Sequence, residues 1–134
     1  MNLVEDIEVK QRNNYIVDNV IADGILARTV LMPKGDIVIG EKHKEETINI
    51  LIRGELKVWV NGEVIHIKAP YMVKSKANTR KIAYIIEDTV WTSIHKVTST
   101  NLDEIEDEVI IKTSNEDLVK ELKQINIEEL KCLG

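Results

Sequence analysis

The chain has 134 residues, 43% of them apolar and 31% charged, with a net charge of −5 and a single cysteine. This length suits one domain around a single core, and no apolar run approaches the ~20 residues of a membrane-spanning helix. The acidic balance argues against general nucleic-acid binding, which needs a basic face to neutralise phosphates, and Cys132 has no intramolecular disulfide partner, as suits a reducing cytosol.

The opening MNLVEDIEVKQRNN carries acids where a secretory signal needs a basic segment and an apolar core, so a cytoplasmic location is expected. Residues 3–21 mix apolar and charged positions without a clean period, and helix and strand stay equally open there. From Ile25 onward short β-rich runs alternate with turn residues: ILARTVLM, Pro33-Lys34-Gly35, DIVIG, ETINILIRG. Asn61-Gly62 between LKVWV and EVIHIK predicts a hairpin, because this pair takes the positive backbone angles of a type I′ turn. Pro70 ends that pairing, and YMVKS, RKIAYIIE and TVWTSIHKV bring the total to seven or eight strands before Val97. An all-β sandwich or barrel follows.

Beyond Thr98, STNLDEIEDE reads as an acidic connector and Val109-Ile110-Ile111 as a further strand. Ser114 and Asn115 are cap candidates, and Leu118, Leu122, Ile125 and Leu130 recur near helical spacing, which predicts one C-terminal amphipathic helix. The expected organisation is an N-terminal segment 1–24, a barrel 25–112 and a helix 113–134. Apolar residues in consecutive positions, as in Ile48, Ile50, Leu51 and Ile52, require cover on both strand faces, and a homo-oligomer would provide it.

The frame Gly35, Glu41, His43, Thr47, Gly54 resembles the first motif of the cupin superfamily, in which two histidines and a glutamate lie between two glycines. Both glycines and the second histidine match; glutamate replaces the first histidine and threonine the glutamate. The second motif would fall on Ala69, Ser75, Ala77, Arg80 and Tyr84, with no match by identity. The intervening Gly54 to Ala69 spacing suits the Asn61-Gly62 hairpin. SKANTRKIAYIIEDTVWTSIH and NLDEIED are similar to small cupin-like proteins of bacteriophages, over roughly residues 30 to 107. The resemblance implies a cupin-like double-stranded β-barrel or jelly roll with a C-terminal helix, and a phage or prophage origin, placing the protein in the host cytoplasm.

Metal-dependent cupins hold one ion with three histidines and a glutamate, a set that here becomes Glu41, His43, Thr47 and Arg80. Threonine is a poor ligand and a guanidinium has no lone pair to give, so no metal is expected. Drawing in His66 or His95 from neighbouring strands is the alternative. A buried Arg80 needs either a carboxylate such as Glu41 or an anionic ligand. Lys76 and Asn78 lie close in sequence, Tyr84 shares the strand phase of Arg80, and His95 shares that of Trp91 and Ser93. Arginine and lysine at a barrel mouth suit phosphate or carboxylate, and Trp91 or Tyr84 suits a flat base or sugar.

The candidate ligand-binding set is therefore Glu41, His43, Thr47, Asn49, Lys76, Asn78, Arg80, Tyr84, Trp91 and His95. No nucleophile elbow, phosphate-binding glycine loop, zinc helix or paired-cysteine site is present, and no cofactor or catalytic residue is assigned. The leading expectation is a non-catalytic barrel that binds a small anionic, nucleotide- or sugar-like molecule, with sequestration of a host immune nucleotide as its phage version. A metal-dependent or acid/base cupin enzyme (a sugar isomerase, epimerase or oxygenase) and a virion accessory protein are the alternatives.

Overall fold

The computed structural model describes residues 15–132. The reading of residues 3–14 lies outside that range. The rest of the opening stretch is a strand, β1 (Ile16–Ala22), paired antiparallel with β2 (Ile25–Met32) along its whole length. The barrel therefore takes in residues from before position 25. Strands β3 (Ile37–Ile39), β4 (Lys42–His43), β5 (Thr47–Val60), β6 (Glu63–Lys68), β7 (Tyr71–Ser75) and β8 (Lys81–Lys96) follow. The main sheet runs β1-β2-β8-β5-β6, with β3 on β8 and β7 on β5, all antiparallel. A short β9 (Ile110–Ile111) pairs with β4.

The predicted hairpin is present, with Asn61 at φ 50° and Gly62 at φ 82°. A Cβ on Gly62 would meet open space, so only backbone strain opposes a side chain there. Gly62→Ala is expected to lower stability by about 1 kcal/mol in urea denaturation, without touching the interior.

Four sequence runs form two long strands. β8 has the same phase on either side of an irregular stretch at residues 86–90, so Lys81, Ala83, Ile85, Trp91, Ser93 and His95 share its inner face. β5 does not: its ladder to β8 shifts between Leu51 and Leu56, and the bulge moves the inner face from Thr47, Asn49 and Leu51 to Leu56, Val58 and Val60. Those residues, with Met32, Val38 and Ile67, fill the barrel.

The alternate residues of β8 face outward beneath the C-terminal segment. Ile82 and Tyr84, with Ile37, Ile39 and Trp59, pack against Leu118, Leu122, Ile127 and Leu130. That segment is two helices rather than one, α2 (Asn115–Leu122) and α3 (Ile127–Lys131), because Asn126 caps the second by accepting from the Glu129 N–H. The predicted acidic connector is helix α1 (Leu102–Val109), capped by Asn101 and anchored by the buried Ile105, with Val109 partly buried beside it.

Candidate functional site

The inner faces of β2, β8, β5 and β7 align residues in rows across the barrel. Arg28, Ser93, Asn49 and Val73 form one such row, and Val30, Trp91, Leu51 and Tyr71 the next. A hydrogen-bonded chain crosses these rows. Lys81 Nζ and Asn49 Nδ2 both donate to Ser75 Oγ, and Ser93 Oγ donates to Asn49 Oδ1 at 2.8 Å. Asn49 is thus hydrogen-bonded on both sides of its amide. Lys81 Nζ also lies 5.4 Å from the centre of the Trp91 ring, within cation–π range.

Two cavities flank this polar chain. One of about 220 Å³ is mostly apolar, with Lys81, Trp91, Ser75 and Tyr71 among its walls. The other, about 230 Å³, is bordered by His43, Thr47 and His95, with Glu45, Glu46 and Glu108 also in its lining. The His43 and His95 rings meet edge to face, with centroids 4.7 Å apart. β4 supplies His43, and Asn78, in a left-handed turn at φ 56°, donates its N–H to the His43 carbonyl at 2.8 Å.

Burial, then the positive charge of His95, Lys81 and Arg28, pushes His43 down to about 4, and burial and Arg28 lower His95 as well. Burial alone takes Lys81 down to about 8. The barrel interior thus gathers four groups able to carry positive charge, and those acting on His43 are all cationic. Arg28 has one partial partner, Glu106 at 3.9 Å.

Below the ordinary histidine range the unfolded chain takes up a proton that folded His43 refuses, so stability falls as pH drops from about 6.5 toward 4. A loss of roughly 2–3 kcal/mol across that window is expected in denaturation measured at successive pH values. His43→Asn should flatten the curve; an unchanged slope would remove His43 as its source.

The sequence-predicted residues divide. His43, Thr47, Asn49, Trp91 and His95 lie on the barrel interior, and Lys76 borders the apolar cavity with an exposed side chain. Glu41 and Asn78 are exposed, and Asn78 acts through its backbone. Tyr84 packs beneath the C-terminal helices.

Arg80 is the main correction. Its guanidinium is buried on the outer side of β8, donating to Glu121 Oε2 at 2.8 Å, to the Gly40 carbonyl at 2.6 Å and to Thr113 Oγ1 at 2.8 Å. Its carboxylate partner is Glu121, not Glu41, and Lys42 binds the other oxygen of Glu121 at 2.6 Å. Burial would raise the Glu121 carboxyl, but hydrogen bonds from Lys42 and Arg80, with their charges, hold it below its usual value. The cation that enters the barrel is Lys81, one residue on. His66 is also outside, exposed and paired with Glu55 at 2.6 Å.

Neither protein-family models nor curated protein sequences match the chain. Solved structures do. An RmlC-like cupin family protein with a double-stranded β-helix fold from Methanocaldococcus jannaschii aligns with TM-score 0.53 and 15% identity, over 67% of this chain and 86% of that one. The fold is a cupin double-stranded β-helix. KdgF from Halomonas sp. aligns with TM-score 0.55 and 13% identity over 68% of this chain and 92% of its own. Salicylate 1,2-dioxygenase from Pseudoaminobacter salicylatoxidans gives TM-score 0.58 and 10% identity, over 71% of this chain and 27% of that larger one. Identities this low carry the fold and no activity.

A metal centre of the kind cupin barrels hold does not fit this donor set. Among the described residues no group of three or more His, Cys, Asp and Glu side chains is placed to hold an ion. His43 and His95 supply two imidazoles, fewer than the three or more protein ligands such a centre uses. Among the described residues no helix is long and apolar enough to cross a membrane.

Proposed function

We infer that this cupin barrel binds a small anionic molecule in its interior. The observation that carries the reading is the gathering of Lys81, Arg28, His43 and His95 around the hydrogen-bonded Asn49–Ser75–Ser93 chain. Buried positive charge without a full complement of acids is costly, and an anion between these groups would relieve that cost. Trp91 and the apolar wall beside it suit the carbon skeleton of the same molecule.

Each cavity, at about 220 and 230 Å³, lies below the range usual for drug-sized ligands. That favours a short carboxylate or a sugar acid. A nucleotide would need both cavities, so sequestration of a host nucleotide is the more demanding version of this reading. In that version denaturation would return the nucleotide unchanged, whereas turnover would reject it.

Anion binding should draw protons into the site, because a negative charge raises the depressed histidines. Calorimetric titration of a small carboxylate or phosphate in buffers of different ionisation enthalpy is expected to show proton uptake near pH 6, with affinity rising as pH falls. Proton release, or binding that survives Lys81→Met and His43→Asn together, would reject this reading.

The barrel would work as a homo-oligomer. Ile16, Val20, Ile25, Leu31, Ile48 and Met72 stand on the outer face of β1, β2, β5 and β7, each between 41% and 69% exposed. A second copy is the occupant we assign to this face. Asp18 at the β1 edge and Lys74, paired with Glu46 at 3.2 Å, at the β7 edge frame these apolar residues with charge, so a copy related by a two-fold axis would bury the apolar face within a charged rim. Light scattering should return a dimer that Ile48→Glu converts to monomer; a monomeric parent protein would overturn the assignment.

A further inference from the structure

The anion-binding reading leaves one group underused. A lysine that only attracts an anion belongs at the rim, where solvation is retained. Lys81 instead rises from the first residue of β8 into the apolar cavity, with Nζ held by Ser75 Oγ and facing the Trp91 ring. Val58 and Ile67 line the same space, and both belong to the buried core. The Trp91 face and Ser75 Oγ favour the ammonium ion, but burial among apolar walls outweighs them, so a minor amine fraction stands at neutral pH as a nucleophile.

We propose that Lys81 condenses reversibly with the carbonyl carbon of a small anionic carbonyl compound, a 2-oxo acid or a comparable sugar acid, to form an imine inside the barrel. The proposal rests on the anion-binding reading for its carboxylate half. The Lys81 nitrogen lone pair adds to the carbonyl carbon while the C=O π pair moves to oxygen, giving a carbinolamine. That oxygen then leaves as water, carrying the two protons originally on the amine, as the nitrogen lone pair closes the C=N bond. No oxidant, reductant or further reactant is consumed, and hydrolysis returns both partners.

The supporting groups are already in place. Ser75 Oγ, itself receiving a hydrogen bond from Asn49, orients the amine. Arg28, in the row of Ser93 and Asn49 on the same inner face, supplies a permanent positive charge to the barrel interior. Depression of Lys81 to about 8 makes roughly one amine in ten unprotonated at pH 7, against fewer than about one in a thousand for an ordinary lysine. That difference gives the site its selectivity over surface lysines.

The test uses the full-length protein with pyruvate as the anionic probe, acetone as a neutral carbonyl and acetate as an anion without one. Each mixture is treated with cyanoborohydride at pH 7 and mapped by peptide mass spectrometry. Among lysine peptides, pyruvate should label the Lys81 peptide about tenfold or more above any other. Lys81→Arg should abolish it; if that variant does not fold, the map of the parent protein decides alone. Acetate and pyruvate that bind while no Lys81 adduct forms would overturn the imine and leave the anion reading standing. An adduct with acetone but none with pyruvate would overturn both the anionic requirement and the parent reading. Labelling spread evenly over surface lysines would also sink the proposal.

Discussion

Arg80→Met should destabilise the fold by about 3–5 kcal/mol and leave the barrel interior chemically unchanged. The guanidinium side chain is only 6% exposed and closes three contacts at once, to Glu121, Gly40 and Thr113, joining the β3–β4 connection to the C-terminal segment. Removing it strands the Glu121 carboxylate with Lys42 as its remaining partner and leaves the Gly40 carbonyl without this donor. The measurement is a urea transition for Arg80→Met beside Lys81→Met. Loss of stability without loss of anion affinity in the first, and loss of affinity in the second, would separate the two neighbouring cations. Equal effects on affinity would contradict the division between outer and inner faces.

That division also shows how far the sequence could be read. The motif frame placed a cation where a cupin histidine would stand, and a cation does enter the barrel there, but it is the next residue. Side-chain direction in a strand has a period of two, so a shift of one position inverts inside and outside. Trp91, Ser93 and His95 were legible as one face. Reading 80–87 and 89–97 as separate strands hid the fact that β8 runs unbroken, which carries that phase back to Lys81. Tyr84 follows Arg80 outward for the same reason.

Local signals with a backbone cause were the most legible. Asn61-Gly62 forms its turn, and ILARTVLM and YMVKS are strands with the boundaries read from the chain. The acidic stretch after Thr98 was not legible as a helix, since Ile105 is its sole buried residue and one anchor makes no periodicity. Nor was the break in the C-terminal helix, although Asn126 followed by Glu129 is a start signal in retrospect. The His43–His95 contact joins strands far apart in sequence, and only the closed barrel brings it about.

Gly54→Ala should be comparably severe, for a reason that reaches the site itself. Gly54 has φ 106°, and a Cβ there would stand 2.4 Å from Thr89 Oγ1, 2.6 Å from the Asp88 carbonyl oxygen and 2.8 Å from Thr89 Cα. Two of these are backbone atoms that cannot rotate aside, so steric overlap adds to the strain of the left-handed conformation. Together they cost about 3–5 kcal/mol, a large share of the 5–15 kcal/mol usual for a domain. The position lies within the shift in register that moves the inner face of β5 from Asn49 and Leu51 to Leu56 and Val58. Any backbone adjustment that relieves the clash therefore also disturbs the phase by which both halves of β5 line the barrel. Gly54→Ala is expected to fold poorly, or to fold with a lowered urea midpoint and weakened anion binding, whereas Gly62→Ala loses only about 1 kcal/mol. Near-parental stability and affinity in Gly54→Ala would show that the bulge does not depend on glycine and that the two cavities tolerate a shifted β5.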